Sequence, residues 1–174
     1  MKFAHISDTH IKNLKYHYEY RIVFEQLYET LREQEVDYIV HCGDIAHTKT
    51  QISPEFVDMC SDFFRNLATI APTYIILGNH DGNLKNSSRQ DALTPIVDAL
   101  NVPNLHLLKD SGETDLDDDF CLNVLSVFDK PVDYALAFQT GKGHNDALLQ
   151  RFILGRHLRK ENALFIIFDE QKSI

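Results

Sequence analysis

The sequence predicts an α/β fold built on a largely parallel sheet, and two observations carry that prediction. Over roughly the first hundred residues, short apolar runs alternate with amphipathic stretches of helical length, the pattern of right-handed βαβ units with flanking helices. Each of the first three runs also ends in a polar cluster: Ser7-Asp8-Thr9-His10, His41-Cys42-Gly43-Asp44 and Gly78-Asn79-His80-Asp81. Sheets of this kind carry their functional groups in loops beyond the carboxyl ends of the strands, so the clusters are expected to converge on one sheet edge.

The elements follow in order. Phe3 to Ile6 is the first strand, and a helix fits from about Glu19 to Gln34, with Tyr20, Phe24, Leu27 and Leu31 at helical spacing. Tyr38-Ile39-Val40 is the second strand. Ser53 as N-cap and Pro54 at the first helical position open a second helix, whose buried face would be Phe56, Met59, Phe63 and Leu67. Tyr74 to Leu77 is the third strand, Thr94-Pro95 opens a shorter helix through Leu100, and Leu105 to Leu108 is the fourth strand. Asp110 to Asp119 reads as an acidic, solvated turn, and Phe120 to Phe128 as a strand antiparallel to its neighbours. Ala147 to Arg159 fits a helix and Ala163 to Phe168 a strand. With no internal repeat and no linker, residues 1–174 are expected to form a single domain.

Composition narrows the class. The apolar fraction of 44% and charged fraction of 25% are those of an ordinary globular protein. No apolar run reaches the ~18 residues of a membrane span, and Met1 to Ile6 passes straight into a strand without a signal peptide's apolar core, so a cytoplasmic protein is expected. Cys42, Cys60 and Cys121 are widely spaced, which reads as reduced thiols. A net charge of −9 argues against nucleic acid held mainly by a basic surface. It leaves room for a nuclease, because bound cations neutralise clustered carboxylates and phosphate alike.

Asp8-x-His10, Gly43-Asp44 and Gly78-Asn79-His80-Asp81 carry the chemistry. Hard carboxylate oxygens combined with imidazole suit manganese, iron or zinc. Two such ions ~3.5–4 Å apart clamp the attacking and leaving oxygens of an in-line displacement. Asp44, from the middle strand, is the natural bridging carboxylate; Asp8 and His10 reach one ion from the same side, and Asn79 offers a carbonyl oxygen to the other. His80 then stands free to donate a proton to the leaving oxygen, with Asp81 orienting its ring. The adjacent glycines let the backbone turn tightly beneath the site. His5 and His41 read as packed core or supporting histidines. His47 reads equally well as lining the site or as a loop residue. The run Tyr16 to Arg21 mixes aromatic and basic groups, as a base-stacking surface or as a plain lead into a helix. Lys85, Ser87, Ser88 and Arg89 offer a phosphate contact, or else Ser88 and Asp91 cap a turn.

His5-Ile6-Ser7-Asp8-Thr9-His10, His41-Cys42-Gly43-Asp44-Ile45-Ala46-His47 and Leu77-Gly78-Asn79-His80-Asp81 together resemble the calcineurin-like metallophosphoesterases, and within them the SbcD-type nuclease subunits of recombination and repair complexes, phage-encoded versions included. The resemblance runs from Met1 to about Asp129, and residues 130–174 read as a divergent or truncated tail. It implies a metallophosphoesterase-like sheet with the second half of the sandwich incomplete. It implies that Asp8, His10, Asp44 and Asn79 bind metal, two manganese ions by resemblance, and that His80 assists departure of the leaving group. It also implies DNA as substrate, exonuclease and single-strand endonuclease activity, an SbcC-type ATPase as partner, and a homodimer. The family's later ligands, from H-G and G-H-x-H segments, have no counterpart here: His106, His144 and His157 are the only histidines after Asp81. Asp44 and Asn79 alone would hold the second ion weakly, which keeps open a small-molecule phosphoesterase or an inactive binding protein.

Overall fold

The predicted alternation is present in the computed structural model, which describes residues 2–48, 51–86, 88–117, 120–128 and 166–169. Strand β1 (Lys2–Ile6), helix α1 (His17–Glu33), β2 (Tyr38–His41), α2 (Pro54–Ile70), β3 (Thr73–Ile76), α3 (Thr94–Leu100) and β4 (Leu105–Leu108) follow one another along the chain. The hairpin β5 (Gly112–Asp115) and β6 (Cys121–Val124) comes next, and then β7 (Ile166–Asp169). The main sheet has the order β4-β3-β2-β1-β7. Its first four strands are parallel, with Phe3 opposite Tyr38, Ile39 opposite Thr73, and Thr73 opposite Leu105. β7 closes the β1 edge antiparallel.

Both faces of this sheet are covered, as parallel strands require. On one face Ala4, Ile6, Ile39, Ile75 and Leu77 pack against the helices through Phe24, Leu31, Phe56, Phe63 and Leu67. On the other, Phe3, Val40, Tyr74 and Ile76 meet Leu122 and Val124 of the hairpin. Helix α2 starts where its sequence places it: Ser53 Oγ accepts from the Phe56 N–H at 3.2 Å, and Phe56, Met59, Phe63 and Leu67 are buried.

Three boundaries differ from expectation. Helix α1 begins at His17, with Tyr16 in the left-handed region (φ 64°) as an N-cap that makes no side-chain bond. The first part of the expected acidic turn, Gly112–Asp115, is instead strand β5, paired antiparallel with β6. Glu113 and Asp115 sit on its solvated side, which is why an edge strand reads as turn in the sequence. The expected strand at 163–168 is described only as Ile166–Asp169, and the expected helix at 147–159 lies outside the described residues.

Candidate metal centre

The pairing of β1 with β2 does not stop at the strand ends. The Asp8 N–H donates to the Gly43 carbonyl (3.1 Å), His10 to Asp44 (3.0 Å) and Ile11 to Ile45 (2.7 Å), and His47 returns a bond to Ile11. The two polar clusters therefore run alongside each other beyond the sheet edge. Donor atoms of Asp8, His10 and Asp44 come within 4.8 Å of one another. All three residues hold left-handed backbone, with φ of 56°, 46° and 58°. A non-glycine residue reaches that region at a cost of ~1–2 kcal/mol, and such strain gathers at functional sites. Three of them in one donor set is the local price of turning the side chains inward at a strand end.

Asp8 and His10 are partly exposed, and Asp44 is buried. The Asp8 carboxylate, 3.6 Å from His10 Nε2, raises the pKa of the ring, and the ring in turn lowers that of the carboxylate. His10 Nδ1 is buried with no hydrogen-bond partner among the described residues. A buried polar atom in this position asks for a partner that the described residues do not supply. Two carboxylates and an imidazole around one point fit a hard or borderline divalent cation. The Asp44 carboxylate is already fixed, because Oδ1 accepts the His80 N–H at 2.9 Å.

Asn79 and His80 are held against this set by the third loop. Gly78 has no room for a side chain, since a Cβ there would land on the Asp44 carboxylate and backbone nitrogen. A Cβ on Gly43 would equally strike the Gly78 backbone, and Gly43 alone of the pair has positive φ (88°). The two glycines thus serve close approach at one position and both approach and turning at the other. The structure brings Asp8, His10 and Asp44 together and places Asn79 and His80 in the adjoining loop.

One expectation about histidine and aspartate needs correction. Asp81 does not orient the His80 ring. Asp81 is fully buried, and its Oδ2 accepts from the Asp44 and Gly78 N–H groups and Oδ1 from Ala46, each at 2.8 Å. Burial pushes its carboxyl up to about 6 against the three bonds that favour the anion, so it is mostly ionised at neutral pH. It is a brace between the second and third loops. The His80 ring is oriented instead by the His47 carbonyl, 3.0 Å from Nδ1. A carbonyl only accepts, so Nδ1 carries a proton and Nε2 is the working end of the ring. The rings of His10, His47 and His80 gather here, with His10 edge-on to His80 at 4.8 Å between centroids and to His47 at 5.9 Å. The part played by the His47 backbone has no signature in residue type, and only the nearness of His47 to Asp44 in sequence hinted at it.

The supporting histidines are where the sequence placed them. His41 is fully buried, edge-on to Phe63, and burial drives its pKa down to about 3. The Gly43 N–H donates to Nδ1 (3.3 Å), so the neutral ring carries its proton on Nε2, toward Thr9 Oγ1 at 3.4 Å. His5, on the hairpin face, has Nε2 2.8 Å from Cys42 Sγ, and burial lowers its pKa. Ser88 bonds Asn86, while Asp91 accepts from the Leu93 and Thr94 N–H groups at the start of α3. His106 stacks on Tyr74 in β4, and His144 and His157 lie outside the described residues.

A largely parallel α/β sheet whose strand-end carboxylates and imidazole meet around one cation-sized point defines the class as a protein with a candidate divalent-cation site at its carboxyl edge. The calcineurin-like phosphoesterase family matches residues 1–167, and the chain belongs to that family. It is similar to an uncharacterized protein of Acanthamoeba polyphaga mimivirus, 46% identical over 112 residues. That alignment covers 62% of this chain and 8% of the viral protein. No helix among the described residues is long and apolar enough to cross a membrane.

Proposed function

We propose that the chain hydrolyses phosphodiester bonds of DNA, as the nuclease subunit of a recombination or repair complex. The observation that carries the reading is the convergence of Asp8, His10 and Asp44 donor atoms within 4.8 Å, with the His80 ring edge-on to His10. Asp8, His10 and Asp44 would hold one ion, and Asp44 with Asn79 a second, manganese being the ion proposed. Such a centre supplies Lewis acidity and an activated water. His80 does the chain's own chemistry. Its Nδ1–H is held by the His47 carbonyl, so when the ring carries its second proton, as imidazolium, Nε2–H is the group directed to the departing oxygen, and the ring is left neutral after the transfer. Asp81 and the glycine pair keep the Asp44 and His80 loops in register. The SbcC-type ATPase partner, the homodimer and a cytoplasmic setting belong to the same proposal.

The test is manganese-stimulated cleavage of linear and single-stranded DNA. His80→Ala is expected to lose about 10²–10⁴-fold in kcat while manganese binding by calorimetry is retained. Unchanged turnover in that variant would remove His80 from the chemistry. The net charge of −9 favours a second reading, a small phosphodiester as substrate. Hydrolysis of an aryl phosphodiester without any cleavage of DNA would select it.

A further inference from the structure

The loop leading from His10 into α1 carries a surface that the metal centre does not use. Leu14 is 73% exposed, Tyr16 56% and Tyr18 75%. Lys12 Nζ lies 4.9 Å from the centre of the Tyr16 ring, and Lys15 is exposed beside it. From Ile11 to Tyr18 there are two lysines and no carboxylate, in a chain whose net charge is −9. Exposed apolar side chains are usually scattered singly. Here three large ones fall within five residues, interleaved with the only cations of the segment.

The segment is firmly pinned. Asn13 donates through its amide to the Gln51 carbonyl and accepts the Ser53 N–H at 3.2 Å, while Ser53 Oγ donates to the Asn13 carbonyl at 2.8 Å. The His17 ring bonds the Lys12 carbonyl, and Tyr20 donates its hydroxyl to the His10 carbonyl at 2.7 Å. One end of the loop is thus tied to a metal-site residue and its middle to the start of α2. A backbone held this way needs little reordering when something binds along it.

We propose that this loop is a stacking platform for single-stranded nucleic acid, with Tyr16 and Tyr18 receiving bases and Lys12 and Lys15 meeting phosphates. The proposal rests on the DNA reading of the same site and specifies the form of substrate. Exposed π-faces alternating with cations match a chain of bases strung on phosphates, and only unpaired strands offer base faces to a protein. A small phosphodiester has no part that reaches such a surface. A second copy pairing through the same patch about a two-fold axis would set lysines against lysines.

The chain has no tryptophan, so Tyr18→Trp places a single reporter fluorophore on the platform. Oligothymidylate is titrated against this variant in EDTA and again in calcium, and quenching on binding is expected. By anisotropy of a labelled oligonucleotide, Tyr18→Ala is expected to weaken binding about 5- to 100-fold, and Tyr18→Phe to restore it. The double variant Lys12→Ala, Lys15→Ala should reduce the slope of log affinity against log salt by about 1.4. Equal binding by wild type, Tyr16→Ala and Tyr18→Ala would overturn the platform, and DNA cleavage by the wild type would then leave the nuclease reading standing. Binding that depends on Tyr18 without any manganese-dependent cleavage would support the platform and remove the nuclease reading. No binding by the wild type would overturn the platform, and manganese-dependent cleavage of DNA would decide the nuclease reading separately. Self-association abolished by Tyr18→Ala, with oligonucleotide affinity unchanged, would give the surface to a second copy and overturn the proposal.

Discussion

Replacing Asp81 with asparagine isolates the brace beneath the metal centre. The carboxylate accepts three backbone N–H groups, two through Oδ2 and one through Oδ1. Asparagine has one oxygen. The better orientation leaves it where Oδ2 stands, keeps the Asp44 and Gly78 bonds, and sets the new NH₂ against the Ala46 N–H, formerly 2.8 Å from an acceptor. One buried donor then loses its partner and faces another donor, a cost of about 1–3 kcal/mol. For a chain of this length each kcal/mol is worth roughly 2–4 °C in Tm, so a fall of about 2–12 °C is expected by calorimetry. Asp81→Ala orphans all three N–H groups and should cost about 3–5 kcal/mol after water entry softens the loss. Because the same bonds hold Asp44 in place, manganese affinity by titration calorimetry should drop about 10–100-fold in Asp81→Asn. Unchanged melting together with unchanged manganese affinity would show that these bonds do not hold the two loops together.

Gly78→Ala puts a methyl group onto the Asp44 carboxylate and backbone nitrogen, so manganese binding should be lost even where circular dichroism reports a folded chain. His41 has a folded pKa depressed to about 3 against an unfolded value near 6.5. Below pH 6.5 the unfolded chain gains a proton that the folded one refuses, and stability should decline by about 1.4 kcal/mol between pH 7.5 and 5.5. Asp81, raised to about 6, contributes in the opposite sense as pH falls through that value. Urea unfolding of wild type and His41→Gln, compared at both pH values, cancels the Asp81 part in the difference, and on going from pH 7.5 to 5.5 the wild type should lose about 1.4 kcal/mol relative to the variant. Ser53→Ala removes both the cap of α2 and the bond to the Asn13 carbonyl, and a loss of about 0.5–2 kcal/mol in urea unfolding is expected.

The sheet was legible because burial on both faces leaves strands that are apolar throughout, and the helices because Phe24, Leu27, Phe56, Phe63 and Leu67 recur at helical spacing. Asp8, His10 and Asp44 were legible for a related reason: strand ends fix where a polar cluster must lie. The misreadings share a cause too. Asp81 was given to His80 because the two are neighbours in sequence, whereas its bonds go to N–H groups of residues 44 and 46, reached only through the fold. The orienting group for His80 is a main-chain carbonyl, and every residue has one. Strand β5 was hidden because Glu113 and Asp115 face water, and an exposed edge looks like a turn when its partner strand is unknown.

The backbones of Gly43 and Gly78 approach with no side chain between them, so the interval from Asp44 to Asn79 is not adjustable through any substituent. Exchanging a donor atom alters how hard or soft the ligand set is, yet leaves that interval constant. Widening it for a larger cation means rebuilding two strand termini at once. In the proposed centre, selection among ions by radius would therefore be a property of the scaffold, and selection by chemical affinity the part that single substitutions retune.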